Sequence, residues 1–196
     1  MPFFNATEFE AKRKFRFAVS FAMPGLGEGA TTSLTFMAKT VSKPSFQMES
    51  TQHRFLNHEF KFPSIIKWQD INLAFIDAKE PNVNDTLYKV LLQMGYVQPD
   101  SYDAGFRGGI TKQSASSALG MVRIFQLDGG ATEVSTIGTP EGPNIVDEWQ
   151  LKNAFIQQIK FGDLDYGQDD LVQIDMTLRY DYATFGLSGL PYGLGS

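Results

Sequence analysis

The chain has 196 residues, a formal net charge of −5 and no cysteine, which excludes disulfides, thiolate metal sites and cysteine nucleophiles. Hydrophobic residues make up 42% and charged residues 20%, an ordinary globular balance that argues against disorder throughout the chain. No apolar run reaches the ~18 residues that span a bilayer, and the N-terminus lacks a basic region followed by a long apolar stretch, so neither a membrane anchor nor a signal peptide is expected.

Alternating apolar residues predict β-strands through the first part of the chain. Residues 1–13 are expected to form an arm, and a first strand is predicted over 15–21. After a glycine-rich turn, a second strand begins at 34–38. A long hairpin with a polar tip is predicted over 45–62, and a further strand over 71–75.

One short amphipathic helix is predicted after these strands. Apolar residues recur with helical spacing from Leu87 to Met94, after Asn84 as the expected N-cap and before Gly95 as the stop. Residues 97–117, rich in Gly, Ser and Asp, are predicted to be an irregular insertion. No second helix is expected.

The strongest signal comes near the end of the chain. Strands are predicted over 121–127 and 149–152, and the last strand over 171–182. In that last strand, apolar side chains alternate with polar ones, which predicts one packed face and one polar face. Residues 184–196, with four glycines and one proline, are expected to be a flexible tail.

Seven or eight strands and one short helix predict a mainly β domain over residues 14–183, an antiparallel β-sandwich or partly open barrel. Such sheets leave edges to cover, and long unpaired strands usually pair with a neighbouring subunit. The sequence therefore favours a structural role over a catalytic one.

Candidate catalytic and binding residues are sparse. His53 and His58 lie at the hairpin tip without a ligand cluster around them, and no serine lies in a G-x-S-x-G turn. We expect no catalytic residue, cofactor or metal. Two alternatives remain open: a carbohydrate-binding β-sandwich that uses Trp68 or Trp149 as a platform, and a hydrolase that uses C-terminal acids.

Negative charge is concentrated in one part of the sequence. Residues 142–181 contain eight acids and three bases. Tight binding to nucleic acid requires clustered Lys and Arg, so this segment disfavours it. Passage of nucleic acid without adhesion is compatible with the same charge.

The order of these elements is distinctive, and several stretches stand out within it: 15–21 with 36–44, the hairpin ending at Phe60, 68–78 leading into the helix, 148–156, 162–166 and 174–182. In these stretches the chain resembles the tail-tube proteins of contractile-tailed bacteriophages. The resemblance runs from about residue 14 to 183 and departs from the family in the 97–117 insertion, the 129–146 loop and the tail.

This resemblance implies a non-enzymatic virion protein. Members of the family form hexameric rings in which strands of neighbouring subunits join into one continuous β-barrel, and the rings stack into a hollow tube for DNA ejection. The implied partners are copies of itself, a contractile sheath, baseplate or tube-initiator and terminator proteins, a tape-measure protein and passing DNA. The implied location is the phage tail, assembled in the host cytoplasm. Related inner tubes of secretion and injection systems, and baseplate initiator rings, are alternatives.

Within that architecture three surfaces are predicted. Acids of the C-terminal region would line the lumen: Asp163, Asp165, Asp175 and Asp181. The polar hairpin tip would contact the next ring through Glu49, Gln52, His53, Arg54, His58 and Glu59. The polar side of the helix, with Asp85 and Lys89, would face the sheath.

Overall fold

The computed structural model describes residues 11–24, 38–80, 82–98, 109–128, 145–167 and 169–187. The strands of this part, in chain order, are β1 (Phe17–Ala22), β2 (Ala38–Val41), β3 (Phe46–Phe55), β4 (His58–Trp68), β5 (Ile71–Ile76), β6 (Met121–Leu127), β7 (Ile145–Lys152), β8 (Phe155–Lys160), β9 (Gln173–Arg179) and β10 (Tyr182–Leu187). Two helices accompany them, α1 (Val83–Gln93) and α2 (Lys112–Leu119). Neither described helix is long and apolar enough to cross a membrane.

The strands form two four-stranded antiparallel sheets and a separate hairpin. The first sheet has the order β1-β6-β7-β10, and the second has the order β2-β5-β9-β8. Both sheets and both helices contribute to one hydrophobic core, where the Phe21 and Phe75 rings lie 6.1 Å apart. Among the described strands the two sheets are not joined at their edges. The described part of a single chain is therefore a sandwich and not a closed barrel.

The predicted alternation of the last long strand is confirmed in β9. Ile174, Met176 and Leu178 are buried, whereas Asp175 and Arg179 are exposed. Burying each of these apolar side chains contributes about 1.5–3 kcal/mol of hydrophobic stabilisation. The core holds one face of the second sheet, and on the other face Asp175 and Arg179 are exposed in the described part of the chain.

That strand is shorter than predicted. The chain turns at Tyr180 and Asp181, where the Asp181 amide donates a hydrogen bond to the Lys152 carbonyl at 3.0 Å. Tyr182 then starts β10, which crosses to the first sheet and pairs with β7. Strand pairing thus continues to Leu187, four residues into the segment predicted as a tail.

The first helix is confirmed, but its N-cap is Asn82 and not Asn84. The Asn82 side chain accepts a hydrogen bond from the Asp85 amide at 3.0 Å. Asn84 lies within the first turn and donates to Asp77 instead. The helix begins where a side-chain acceptor meets a free amide, and two nearby asparagines make that position ambiguous in sequence.

The prediction of a single helix is wrong. Helix α2 occupies the end of the segment predicted as an irregular insertion. Thr111 and Ser114 form a reciprocal capping box at its start, and Ala115, Ala118 and Leu119 are buried on its inner face. Alanines and serines carry little hydrophobic contrast, so the helical period is weak in the sequence.

Other predicted boundaries shift. The return strand of the hairpin continues to Trp68, because β3 and β4 stay paired up to Phe46 and Trp68. Strand β6 has the predicted bounds. The predictions for residues 1–10, 34–37, 99–108, 129–144 and 188–196 lie outside the described residues.

A polar clamp joins α2 to the two sheets. The Lys112 Nζ lies 2.7 Å from both carboxylate oxygens of Asp181, in the turn between β9 and β10. Asn153, in the turn between β7 and β8, donates to the same carboxylate at 2.7 Å. These hydrogen bonds, from Lys112 first and Asn153 second, hold the pKa of the Asp181 carboxyl below its usual value. The clamp therefore contributes stability only while Asp181 is ionised.

We expect Lys112→Met to lower stability at pH 7 by at most about 1 kcal/mol, because the pair is partly exposed and screened. The pKa of the Asp181 carboxyl is lower in the folded state than its unfolded value of about 3.9, so the pair contributes its full stabilisation of the fold above that pH. The contribution is lost as the pH falls through the folded-state pKa. The Tm gap between the wild type and Lys112→Met should therefore narrow below about pH 4. A gap that stays constant from pH 7 to the acid transition would contradict the clamp.

Candidate functional site

The hairpin of β3 and β4 extends away from the core. Its two strands pair only with each other among the described strands, and all their residues except Trp68 are exposed. Several of these exposed side chains are large and apolar, including Phe55, Phe60 and Phe62, which are 62%, 51% and 55% exposed. A two-stranded hairpin is marginally stable alone, and exposed apolar groups of this size mark interaction surfaces.

The base of the hairpin is anchored on the second sheet. The Trp68 ring contacts those of Phe46 and Tyr180, with centroids 5.6 Å and 5.9 Å away. Burial first, and the nearby Asp70 carboxylate second, raise the pKa of the Tyr180 phenol to about 12. This aromatic cluster fixes the direction in which the hairpin leaves the domain.

The outer half of the hairpin has two chemically different faces. Cross-strand pairs place Phe55 opposite His58, His53 opposite Phe60, and Thr51 opposite Phe62. Because opposed residues share a face, these six form what we call the aromatic face. The alternate pairs, Arg54 with Glu59 and Gln52 with Lys61, form the charged face on the other side.

This arrangement divides the residues predicted for ring contact. His53 and His58 lie on the aromatic face, whereas Gln52, Arg54 and Glu59 lie on the charged face. Glu49 lies near the base, 2.5 Å from the Lys67 Nζ. The prediction was based on charged and polar residues and did not include the phenylalanines of the hairpin. Phe60 and Phe62 are two positions apart, and this spacing indicates that they share one face of a strand.

A register shift separates the outer half from the base. It falls between Met48 and Ser50, where β4 carries an extra residue, and such bulges bend and twist a hairpin. At the tip, Leu56 has a positive φ of 52° and is 78% exposed. This backbone conformation favours glycine, yet the position holds an exposed leucine. Leu56 therefore adds to the apolar surface of the tip.

The free face of the second sheet is polar and internally hydrogen-bonded. Along one rung, Thr40, Ala74, Asp175 and Lys160 lie side by side across the four strands. On this face Lys39 donates to Gln173 at 3.1 Å and Gln173 donates to Asp175 at 2.7 Å. Neighbouring hydrogen bonds join Thr177 to Asn72 and Arg179 to Asp70, each at 3.1 Å.

The four acids predicted for a lumen are spread along this sheet. Asp175 lies on the polar face. Asp163 and Asp165 follow β8, where Asp163 pairs with the Lys160 Nζ at 2.7 Å and Asp165 accepts from the Gly167 amide. Asp181 lies at the opposite end of β9, in the clamp. Composition alone could not show that Lys160 lies opposite Asp175 on the neighbouring strand, since pairing across strands depends on register.

Both edges of the second sheet are unpaired among the described strands. β2 pairs only with β5, and β8 pairs only with β9. Three antiparallel pairings separate these edges, so β2 and β8 run in opposite directions. The sheet therefore offers complementary edges on its two sides.

Chains in three solved assemblies have a fold similar to that of this chain. A chain of the anti-feeding prophage baseplate matches with a TM-score of 0.63 at 16% identity, over 93% of this chain and 99% of that chain. A chain of the tube-terminating cap of the same prophage matches at 0.59 and 15%, over 92% and 93%. A chain of an extracellular contractile injection system, from the PVC sheath-tube complex in its extended state, matches at 0.59 and 15%, over 92% and 94%. This chain has their fold.

The predicted resemblance to tail tubes and related inner tubes is thereby confirmed as a likeness of fold. No protein-family model matches the sequence, and no curated protein matches it.

The structure also shows the surroundings of the helix residues predicted to face a sheath and of the two tryptophans considered as a sugar platform. Asp85 and Lys89 lie on the exposed side of α1 and pair with each other at 2.6 Å. Trp149 packs against Phe185, with ring centroids 4.8 Å apart, and Trp68 lies in the anchor of the hairpin. Both indoles have aromatic neighbours, which favours packing over a sugar platform.

Proposed function

We propose that the chain is a structural subunit that joins six copies of itself into a ring, and that the rings stack into a hollow tube. The observation that carries this proposal is the second sheet. One of its faces is in the core, the other is polar, and its two edge strands are unpaired among the described residues. An open edge of this kind is a template for a neighbouring chain.

Strand direction supports edge-to-edge joining. Because β2 and β8 are antiparallel, a copy related by rotation about a ring axis presents its β2 antiparallel to β8 of its neighbour. The antiparallel alternation then continues from copy to copy, and a contact of this head-to-tail kind closes into a ring when the rotation allows. The resulting barrel of tilted strands has the polar face on its inside.

The hairpin supports assembly in a second way. The aromatic face is too apolar to remain in water without cost, since burying each phenylalanine contributes about 1.5–3 kcal/mol. We propose that this face packs on an adjacent copy within the ring. The charged face, with Gln52, Arg54 and Glu59, then remains available for ring-to-ring contacts.

The polar face suits a conduit. On this face Asp175 lies among Lys39, Lys160 and Arg179, and Arg179 donates to Asp70, so charges of both signs are mixed. Such a lining would let a charged polymer pass without adhering to it. The DNA of a phage tail and the protein cargo of an injection device are both compatible with this lining.

The fold of the matched chains supports further partners. We propose a contractile sheath around the tube, with Asp85 and Lys89 of α1 facing it, and baseplate, terminator and tape-measure proteins at its ends and in its lumen. The subunit would serve in the main tube or in a ring at one end of it. The setting would be a virion tail or a related injection device.

Microscopy of the purified chain tests the proposal. We expect annular particles about six subunits around, or hollow tubes, in negative-stain images, together with a concentration-dependent oligomer in sedimentation velocity. Monomers at every protein and salt concentration would contradict it. A monomeric protein that binds immobilised glycans would favour the carbohydrate-binding alternative.

A further inference from the structure

A cleft lies along the open edge of the second sheet. It has a volume of about 860 Å³ and runs between residues 12–17 and strand β2. Apolar side chains such as Phe17 and Val41 line its floor. Its rim is basic, with five cations: Lys12, Arg13, Lys14, Lys39 and Lys43.

Much of this positive charge is not neutralised within the chain. Lys12 pairs with Asp147 at 2.5 Å, and Lys39 bonds to the neutral amide of Gln173. The remaining three, Arg13, Lys14 and Lys43, form no ion pair with any described residue. An apolar floor with an uncompensated basic rim favours an acidic partner that carries apolar side chains.

The opposite edge of the same sheet carries such a segment. The connection from β8 to β9 contains an acidic turn: Asp163, Asp165, Asp169 and Asp170. Between and beside these acids lie Leu164 and Leu171, which are 88% and 74% exposed. Only Asp163 has a cation, Lys160, as an ion-pair partner in the described part of the chain.

The cleft and the acidic turn cannot meet within one copy. They lie on opposite edges of a four-stranded sheet, separated by three strand spacings or roughly 14 Å. They are, however, at the same level of the sheet, because Thr40 of β2 and Lys160 of β8 share a rung and the turn begins just beyond Lys160. Joining β8 of one copy to β2 of the next brings the turn to the cleft.

We infer that the basic cleft of each copy receives the acidic turn of a second copy. This inference rests on the proposed ring. It adds that the β8 edge of one copy meets the β2 edge of the next, and that opposite charges select this pairing. The charges give each subunit one basic and one acidic edge. Like edges repel, so the assembly is head-to-tail and excludes two-fold pairing of identical edges.

Charge reversal tests the inference. The cleft variant carries Arg13→Glu, Lys14→Glu and Lys43→Glu, and the turn variant carries Asp163→Lys, Asp165→Lys and Asp170→Lys. A swap variant carries all six changes. In rings of the cleft variant or of the turn variant alone, the cleft and the turn that meet between neighbouring copies carry charges of the same sign. The swap variant restores opposite charges at every contact between copies. An equimolar mixture of the cleft and turn variants does the same when the two alternate around an even-numbered ring.

We expect association of the cleft and turn variants to weaken at least about tenfold in sedimentation velocity, and rings to return in the mixture and in the swap variant. A matched control, Asp85→Lys with Lys89→Asp on α1, should assemble like the wild type. Raising the salt concentration from about 0.05 M to 0.5 M should weaken wild-type association, because the Debye length shortens.

The outcomes separate the inference from the function it rests on. If the wild type forms rings and the single variants assemble equally well, the charge pairing is wrong and the ring stands. If the cleft variant and the turn variant do not form rings, and neither their mixture nor the swap variant restores ring formation, the inference is likewise overturned. A wild type without rings refutes the proposed function itself. Thermal unfolding of each variant checks that it is folded.

Discussion

Gly120→Ala should destabilise the folded domain by about 3 kcal/mol or more, the largest stability effect that we expect from a single methyl group. Gly120 ends α2 with φ 66° and ψ −147°, a conformation that is essentially restricted to glycine. A Cβ there would lie 1.7 Å from the Ala22 carbonyl oxygen. Since β1 and β6 meet at this point, the clash would force the first sheet away from α2.

Urea unfolding followed by circular dichroism measures this effect, and Gly109→Ala is the matched control. Gly109 also has a positive φ, of 59°, but a Cβ there would have no atom within 4 Å. We expect the control to cost only the ~1–2 kcal/mol of a left-handed conformation. Equal losses for the two variants would show that the close contact at Gly120 is unimportant.

The second large effect is on association. Placing two negative charges on the aromatic face, by Phe60→Asp and Phe62→Asp, should weaken ring formation at least about a hundredfold, as expected for the loss of central aromatic anchors. The stability of the monomer should hardly change, because both side chains are more than half exposed and lie outside the core cluster. Sedimentation velocity measures ring formation, and thermal unfolding measures the stability of the monomer.

The same hairpin offers a control of equal charge. Ser50→Asp with Gln52→Asp also adds two negative charges, but on the charged face of β3. We expect rings to persist in this variant, although their stacking can change. If the two hairpin variants impair ring formation equally, hairpin charge in general is responsible and the aromatic face has no special role.

Much of the fold could be predicted because strand alternation is a local property. In β9 every second side chain is apolar, and a period of two is imposed by the backbone of a single extended strand. The helix α1 could be predicted for the same reason. By contrast, α2 was missed because serines and alanines bury little area, and its start depends on a capping box and on packing against the core.

The candidate site could be predicted only in part. The acids Asp163, Asp165 and Asp175 were identified from composition, and the hairpin was identified from its length. Their surroundings depend on register between distant strands. Lys39 and Asp175 are 136 positions apart in the sequence, yet they lie on one face of the second sheet.

The amino-acid sequence by itself determined a mainly β chain without cysteine, a polar and an apolar side for its last long strand, a projecting hairpin and an excess of acids near the C-terminus. These follow from residue chemistry and from short-range backbone geometry. Only the tertiary structure decided which strands remain at the edges, which side of the hairpin is aromatic, and that a basic cleft and an acidic turn occupy opposite edges of one sheet. Those properties arise from pairing between residues far apart in the chain, and the energy of that pairing belongs to the packed core as a whole.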